Sequence, residues 1–230
     1  MSTGTKEASL QSYARVAGFA YLAIIIGSIL NLIFVDSKLI VDGDAAATTT
    51  NVAANESLFR IGSAVHLVMF AGVVLLSLNL YAILKTVNRN LALLALLWRM
   101  AEAIVGVVTV FAGMFVALLI NDFKSFDTQQ VQALVDLFLR ARAIGFDFVI
   151  FFLALGTIVF CYLFYRSRFI PRSLAAYGIA SLAIMLVGSL ANIVTPRYAD
   201  LTMVSYAPGI LFELGIGAWL LLKGVKLPAS

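Results

Sequence analysis

Reactive side chains are scarce in this chain of 230 residues, which has one cysteine, Cys161, one histidine, His66, and only 12% charged residues. A single cysteine excludes an intrachain disulfide and a thiolate cluster, and a single histidine excludes a haem held by two histidines. The same scarcity removes the usual zinc ligand set, and no nucleophile motif is recognisable. We therefore expect no cofactor and no bound metal.

Apolar residues, by contrast, make up 62% of the chain, and the mean hydropathy is +1.02. This composition lies far outside that of soluble domains and predicts a polytopic membrane protein whose immediate partners are membrane lipids. The formal net charge is +4, but most basic residues lie at the ends of apolar segments, so we expect no nucleic-acid partner. Residues 1–12 contain no apolar core, so the first membrane segment is expected to be a retained helix and not a cleaved signal.

Six apolar segments are each long enough to cross a bilayer, which predicts an all-α bundle of six transmembrane helices in a single domain, residues 1–230. The predicted spans are residues 16–35, 61–84, 91–120, 144–165, 174–194 and 206–222. In the loop after the third span, apolar residues recur at helical spacing between Val131 and Leu139. This pattern predicts an amphipathic helix at about residues 128–142, lying on the outer interface of the membrane.

Basic residues sort to one side of the predicted bundle, the side that carries both termini. They are Lys6, Arg15, Lys85, Arg89, Arg166, Arg168, Arg172, Lys223 and Lys226. The positive-inside rule makes this side cytoplasmic and places both termini there. The sequence leaves the oligomeric state open.

Two of the predicted spans contain charges where hydrocarbon is expected. Arg99 and Glu102 lie three residues apart in the third span, and Glu213 lies between Gly209 and Gly217 in the sixth. An ionisable side chain at membrane depth is costly unless it faces protein or a watery cavity, so these residues mark the interior of the bundle. The small residues beside Glu213 are typical of closely packed helix faces.

Further polar residues are expected at the outer half of the bundle. They are His66, Asp147, Asn31, Asn192, Arg60 and Arg142. We expect them to converge on a cavity that opens outward or sideways into the outer leaflet, where Glu213 and His66 form a proton donor and acceptor couple. The plainer interpretation makes Arg99 and Glu102 a structural clasp and His66 a hydrogen-bonded interior residue. Asp44, in the first outer loop, is predicted to be a helix N-cap.

The order and spacing of several short segments resemble the bacterial membrane proteins grouped as domain of unknown function 4386. The segments are Ala14–Gly18, Gly43–Thr48, Leu58–Arg60, Arg99 with Glu102, Tyr165–Ser167, Ile170–Leu174, Glu213, Trp219–Leu221 and Lys223–Gly224. The resemblance covers nearly the whole chain and implies six helices in the bacterial inner membrane. It carries no reaction.

The resemblance also bears on single positions. The family's charged positions fall on Asp44, Arg60, Arg99, Glu102 and Glu213, which adds the first outer loop to the candidate site. Gly is usual in the family at the positions of Arg168 and Ala175 in this chain. Those departures affect a turn and a packing contact, not the polar residues.

Our leading hypothesis is a pocket that binds a lipid-like or small amphiphilic molecule. Glu213 and His66 would contact its polar head, Arg60 or Arg142 would lie above it, and the Arg99 and Glu102 pair would form the floor. Three alternatives stay open: a membrane enzyme acting on a lipid-phase substrate with Glu213, Glu102 or His66 as acid or base, a proton-coupled transporter, and a structural or partner-binding subunit. The full set of candidate residues is Asn31, Asp44, Arg60, His66, Arg99, Glu102, Arg142, Asp147, Asn192 and Glu213.

Overall fold

The computed structural model describes residues 3–122, 126–195 and 199–226, and its regular elements there are all helical. They are α1 (Thr3–Asn31), a π-helical segment (Leu32–Asp36), α2 (Ser37–Leu39), α3 (Ala45–Ala54), α4 (Glu56–Leu84), α5 (Arg89–Asp122), α6 (Thr128–Ser167), α7 (Arg172–Val194) and α8 (Ala199–Leu222). The predicted all-α fold is confirmed.

Within the described residues, six helical stretches are long and apolar enough to cross a membrane. They are Glu7–Leu39, Glu56–Leu84, Arg89–Ile120, Thr128–Ser167, Arg172–Val194 and Val204–Leu222. Many large apolar side chains on these helices are exposed, as at Phe19 (64%) and Leu222 (74%). Because so much exposed apolar surface suits hydrocarbon and not water, the chain is a multi-pass membrane protein with the six predicted spans.

The first span does not stop where its apolar run ends. At Leu32 the α-helix passes into a π-helical segment, and the backbone N–H of Ser37 bonds to the carbonyl of Leu32, five residues earlier. A π turn inserts one residue into the helical repeat and so rotates the side chains that follow it. The span then continues to Leu39, so Asp36 lies inside a helix and not in a loop.

Local signals in the sequence explain where several helices begin and end. Asp44 is the N-cap of α3, as predicted, because its Oδ1 accepts a 2.8 Å hydrogen bond from the backbone N–H of Ala47. Asn88 does the same for α5, accepting from the N–H of Leu91 at 3.0 Å. After α6 the backbone turns at Arg168, whose φ of 60° lies in the left-handed region.

The helix predicted at about residues 128–142 is the first part of α6, which continues without a break for 40 residues. No proline interrupts this segment. Val135 is fully buried and packs in a core with Val52, Val116 and other apolar residues.

The described chain forms two compact units. Unit 1 contains residues 1–25, 71–103 and 147–230, and unit 2 contains residues 26–70 and 104–146, in each case as far as they are described. Each unit has its own apolar core: that of unit 1 includes Leu80, Phe164 and Phe212, and that of unit 2 includes Leu39 and Val116. Four helices, α1, α4, α5 and α6, contribute residues to both units.

Candidate functional site

The predicted pair in the third span is an ion pair within unit 1. Nη1 of Arg99 lies 2.8 Å from Oε2 of Glu102, and both side chains are only 2% exposed. The residues are three apart on α5, so helical geometry brings them to the same face. Oε2 of Glu102 is buried and, among the described residues, forms no hydrogen bond of good geometry.

Arg99 also binds two hydroxyl groups from neighbouring helices. Its Nη1 donates to Oγ1 of Thr157 on α6 at 3.3 Å, and its Nε donates to Oγ of Ser77 on α4 at 3.4 Å. The hydroxyl of Ser77 in turn donates to the carbonyl of Val73 in its own helix at 2.7 Å. Arg99 therefore joins α4, α5 and α6 through its guanidinium group.

Space for the Arg99 side chain comes from a glycine on α6. A Cβ atom at Gly156 would lie 2.8 Å from Cγ of Arg99 and 3.0 Å from the carbonyl oxygen of Ala95. Both distances are shorter than ordinary contacts, so a larger residue at this position would displace the arginine or separate α5 from α6.

Glu213, on α8 in unit 1, is partly buried and interacts electrostatically with both Arg99 and Glu102. Tyr21 and Cys161 interact electrostatically with the same carboxyl group. Within the described residues, Glu213 forms no hydrogen bond and no ion pair, so its interactions with these groups act over longer distances. The cluster therefore combines one guanidinium group with two carboxyl groups inside the membrane-spanning part of unit 1.

A second polar cluster of unit 1 is centred on Asp147. Its two carboxylate oxygens accept a 2.7 Å hydrogen bond from Nδ2 of Asn192 on α7 and a 3.1 Å hydrogen bond from the hydroxyl of Tyr206 on α8. Asp147 is 7% exposed. Because one carboxylate on α6 accepts hydrogen bonds from both α7 and α8, this cluster links the three helices.

Unit 2 contains an ion pair that joins the first and fourth spans. Nη2 of Arg142 donates to Oδ1 of Asp36 at 2.9 Å, and the two side chains are 24% and 20% exposed. Asp36 is the last residue of the π-helical segment. The altered helical repeat therefore ends at an aspartate whose ion-pair partner, Arg142, is 106 positions away in the sequence.

His66 lies in the same unit and contacts Asn31 on α1. Nδ2 of Asn31 lies 3.3 Å from Nδ1 and 3.5 Å from Nε2 of the imidazole. Asn31 is 3% exposed, and its Oδ1 has no hydrogen-bond partner among the described residues. A Cβ atom at Gly62 would lie 2.9 Å from this oxygen, so the glycine makes the space that the amide occupies.

These side chains surround a small cavity, which we call the unit 2 cavity. It is lined by Val35, Asp36, Phe59, Gly62, Ser63, His66, Val110, Gly113 and Arg142. Its volume is about 10 Å³, which is enough for about one water molecule. A larger open groove of about 400 Å³ runs along α7 between Val187 and Thr195, and the described residues that line it are uncharged.

Two predicted residues make only local contacts. Arg60 forms an ion pair with Glu56, one turn earlier on α4; the side chain of Arg60 is exposed and that of Glu56 is partly exposed. Asp44 caps α3. Neither residue lines the unit 2 cavity.

The ten predicted residues therefore fall into three clusters and two local interactions. Arg99, Glu102 and Glu213 form one cluster, Asp147 and Asn192 the second, and Asn31, His66 and Arg142 belong to the third. The first two clusters lie in unit 1 and the third lies in unit 2.

Sequence reasoning missed four polar residues in these clusters: Asp36, Ser77, Thr157 and Tyr206. Ser77 and Thr157 are hydroxyl residues inside apolar spans, and this sequence pattern could have marked them as partners of Arg99. In the structure both are fully buried. Asp36 followed an apolar run and resembled the start of a loop.

In the part of the chain that the structure describes, no three His, Cys, Asp or Glu side chains are grouped to hold a metal ion. What the clusters offer is charge, hydrogen bonding and carboxyl groups able to take up protons.

Comparison with models of known protein families gave a match. The model of the family described as Domain of unknown function (DUF4386) matches residues 16–224, as the resemblance in the sequence had indicated. No curated protein matched the chain, and no solved structure did.

Proposed function

Because the chain belongs to the DUF4386 family, whose description names no activity, we propose a function from the geometry: it binds the polar head of a small lipid-like amphiphile in the unit 2 cavity. The observation that carries the proposal is the meeting of Asp36, His66 and Arg142 around one cavity. Each of the three comes from a different membrane-spanning helix.

The π-helical segment supports a binding role for this cavity. Such segments are uncommon in helices and occur frequently at functional sites. Val35 and Asp36, both within the segment, line the cavity. The buried Oδ1 of Asn31, which has no donor among the described residues, adds an acceptor close to Gly62 in the cavity lining.

The ion pair suggests which head group fits. The cavity admits only about one water molecule, so a head group enters when Arg142 moves away from Asp36. Leaving either charge without a partner would be costly. A zwitterionic head group avoids this cost because its anion pairs with Arg142 while its ammonium group pairs with Asp36.

Apolar surface for the tail lies beside the cavity in the sequence. Ile33 and Phe34 precede the lining residue Val35 and are 50% and 53% exposed, and Ile61 precedes Gly62 and is 59% exposed. Exposed side chains of this kind contact acyl chains in a bilayer. A lipid-like ligand thus has a place for its polar and apolar parts within unit 2.

The test compares the amphiphiles that co-purify with wild type, Arg142→Gln and Arg140→Gln, by native mass spectrometry and extraction. Arg140 is a matched control, because it lies on the same helix and pairs with Asp136 in an exposed position outside the cavity. We expect wild type and Arg140→Gln to retain the same zwitterionic amphiphile. Arg142→Gln should retain at most about one tenth of the amount of this amphiphile.

Equal retention by Arg142→Gln and wild type, with all three proteins folded, would remove the cavity from the proposal. No enrichment in any of them would favour the structural or partner-binding alternative. Conversion of a retained lipid over time, with loss of conversion in His66→Ala, would favour the enzyme alternative.

The proposal includes an orientation: both termini in the cytoplasm and the chain in the bacterial inner membrane. It is supported by the basic residues near the helix ends, such as Lys85 and Arg166. Cysteines introduced as Asp42→Cys and Arg168→Cys test it with a thiol reagent that does not cross membranes. Labelling of the first in intact cells, and of the second only after permeabilisation, is the expected result.

A further inference from the structure

The charges around Arg99 do not sum to zero if every group is ionised. Arg99 carries one positive charge that proteins do not remove, whereas Glu102 and Glu213 would carry two negative charges. Arg99 and Glu102 are 2% exposed, and Glu213 interacts electrostatically with both. An isolated charge at membrane depth is costly, so the cluster requires one more positive charge.

Within the part of the chain that the structure describes, no neighbouring side chain supplies that charge. The other titratable groups that interact with the cluster are Tyr21 on α1 and Cys161 on α6, and neither becomes a cation. Ser77 on α4 and Thr157 on α6 are neutral and accept hydrogen bonds from Arg99. Among the described residues, no lysine or histidine is part of this cluster.

A metal ion is a poor candidate for the missing charge. Cations bound in proteins need several ligands, and within the described residues no three His, Cys, Asp or Glu side chains are grouped to provide them. A proton needs only one carboxylate oxygen. It also removes the excess negative charge completely.

The two carboxyl groups differ in how well they are paired. Glu102 lies 2.8 Å from the guanidinium group of Arg99. Glu213 has no ion pair or hydrogen bond within the described residues and meets Arg99 only through a longer-range electrostatic interaction. The arginine therefore stabilises the ionised form of Glu102 more directly.

We propose that Glu213 is a proton-binding site within the membrane, occupied by a proton when Arg99 and Glu102 form their ion pair. The site shares no residue with the unit 2 cavity, so it stands or falls independently of amphiphile binding. Proton release from Glu213 leaves the cluster with one excess negative charge, so proton occupancy sets the charge of this part of unit 1.

Hydrophobic carbodiimides test the proposal because they react with protonated carboxyl groups in apolar surroundings. The acid proton moves to a carbodiimide nitrogen, and the carboxyl oxygen bonds to the central carbon. The acyl group then shifts from oxygen to nitrogen and leaves a stable N-acylurea. No group departs, so the protein gains the mass of one carbodiimide for each reacting carboxyl.

Charge balance predicts the number of adducts in each variant. Wild type should gain one adduct, mapped by peptide sequencing to Glu213, and Glu213→Gln should gain none. Glu102→Gln should also gain none, because the remaining Glu213 then ionises to balance Arg99. Arg99→Gln should gain two adducts, because neither carboxyl then has a cation. Glu56→Gln serves as the control and should match wild type, because Glu56 is partly exposed and already pairs with Arg60.

Several results would overturn the proposal. An adduct on Glu102 or on Asp147 in place of Glu213 would do so, as would undiminished labelling of Glu213 in Glu102→Gln. Suppression of labelling by sodium ions at constant pH would assign the site to a metal cation. If a variant does not fold, mapping the adduct in wild type alone still decides, since an unlabelled Glu213 contradicts the proposal.

Discussion

The backbone conformation of Arg168, just after α6, can be tested by comparing glycine with alanine substitutions. Glycine should be the more stable of the two at position 168 and the less stable at position 166, inside the helix. Its φ is 60°, in the left-handed region, and its backbone N–H bonds to the carbonyl of Phe164 at 3.0 Å. The left-handed conformation costs a residue with a Cβ atom about 1–2 kcal/mol, and glycine avoids that cost.

The side chain of Arg168 is exposed, so its removal should cost little in itself. Glycine loses about 0.5–1 kcal/mol more backbone entropy than alanine on folding. Subtracting this loss, we expect Arg168→Gly to be more stable than Arg168→Ala by about 0.5–1 kcal/mol. Arg166 is the matched control, since it is also exposed but has helical backbone in the last turn of α6. There glycine should be less stable than alanine by about 0.5–1 kcal/mol.

The assay is reversible unfolding of the four variants in mixed micelles of increasing denaturing detergent, followed by circular dichroism. The informative quantity is the difference between glycine and alanine at each position, because removal of the arginine charge cancels. The same sign at positions 166 and 168 would show that backbone strain at Arg168 is absent and that the reasoning is wrong.

Two further substitutions test helix packing by the same assay. A Cβ atom at Gly18 would lie 2.7 Å from a backbone carbonyl of α8, so Gly18→Ala should lower the free energy of unfolding by about 1–3 kcal/mol. The control is Gly215→Ala, which should be neutral or stabilising because the nearest atom is 3.6 Å away. Equal effects of the two substitutions would contradict the close approach of the backbones at Gly18. Tyr206→Phe removes a hydrogen bond to the carboxylate of Asp147 and should lower the free energy of unfolding by about 1.5–3 kcal/mol, while Tyr162→Phe, for which no such bond is seen, should stay near wild type.

Hydropathy and helical periodicity were sufficient to predict the membrane spans and the pairing of Arg99 with Glu102. Both are local properties: a span is a continuous apolar run, and residues three apart in a helix share a face. The N-cap at Asp44 was predictable for the same reason, because the cap contacts a backbone group only three residues away.

Contacts between distant parts of the chain were not predictable in this way. The partner of Arg142 is 106 positions away, and Asp36 reaches it from a π-helical segment that no hydropathy profile reveals. Tyr206 looked like an ordinary residue at the start of the sixth span, yet its hydroxyl binds Asp147. One outer site was expected from depth alone, but depth does not specify which helices are neighbours.

The position of the single thiol has a practical consequence. Cys161 is fully buried, and a Cβ atom at Gly178 would lie only 2.8 Å from its sulfur. A reagent in solution or in the bilayer therefore has no access to it in the folded protein, and the wild-type chain can serve as its own unreactive background. A spin label or fluorophore placed at the exposed position 140 would report solely from there. Movement of the neighbouring Arg142 away from Asp36 could then be followed spectroscopically as amphiphile is added.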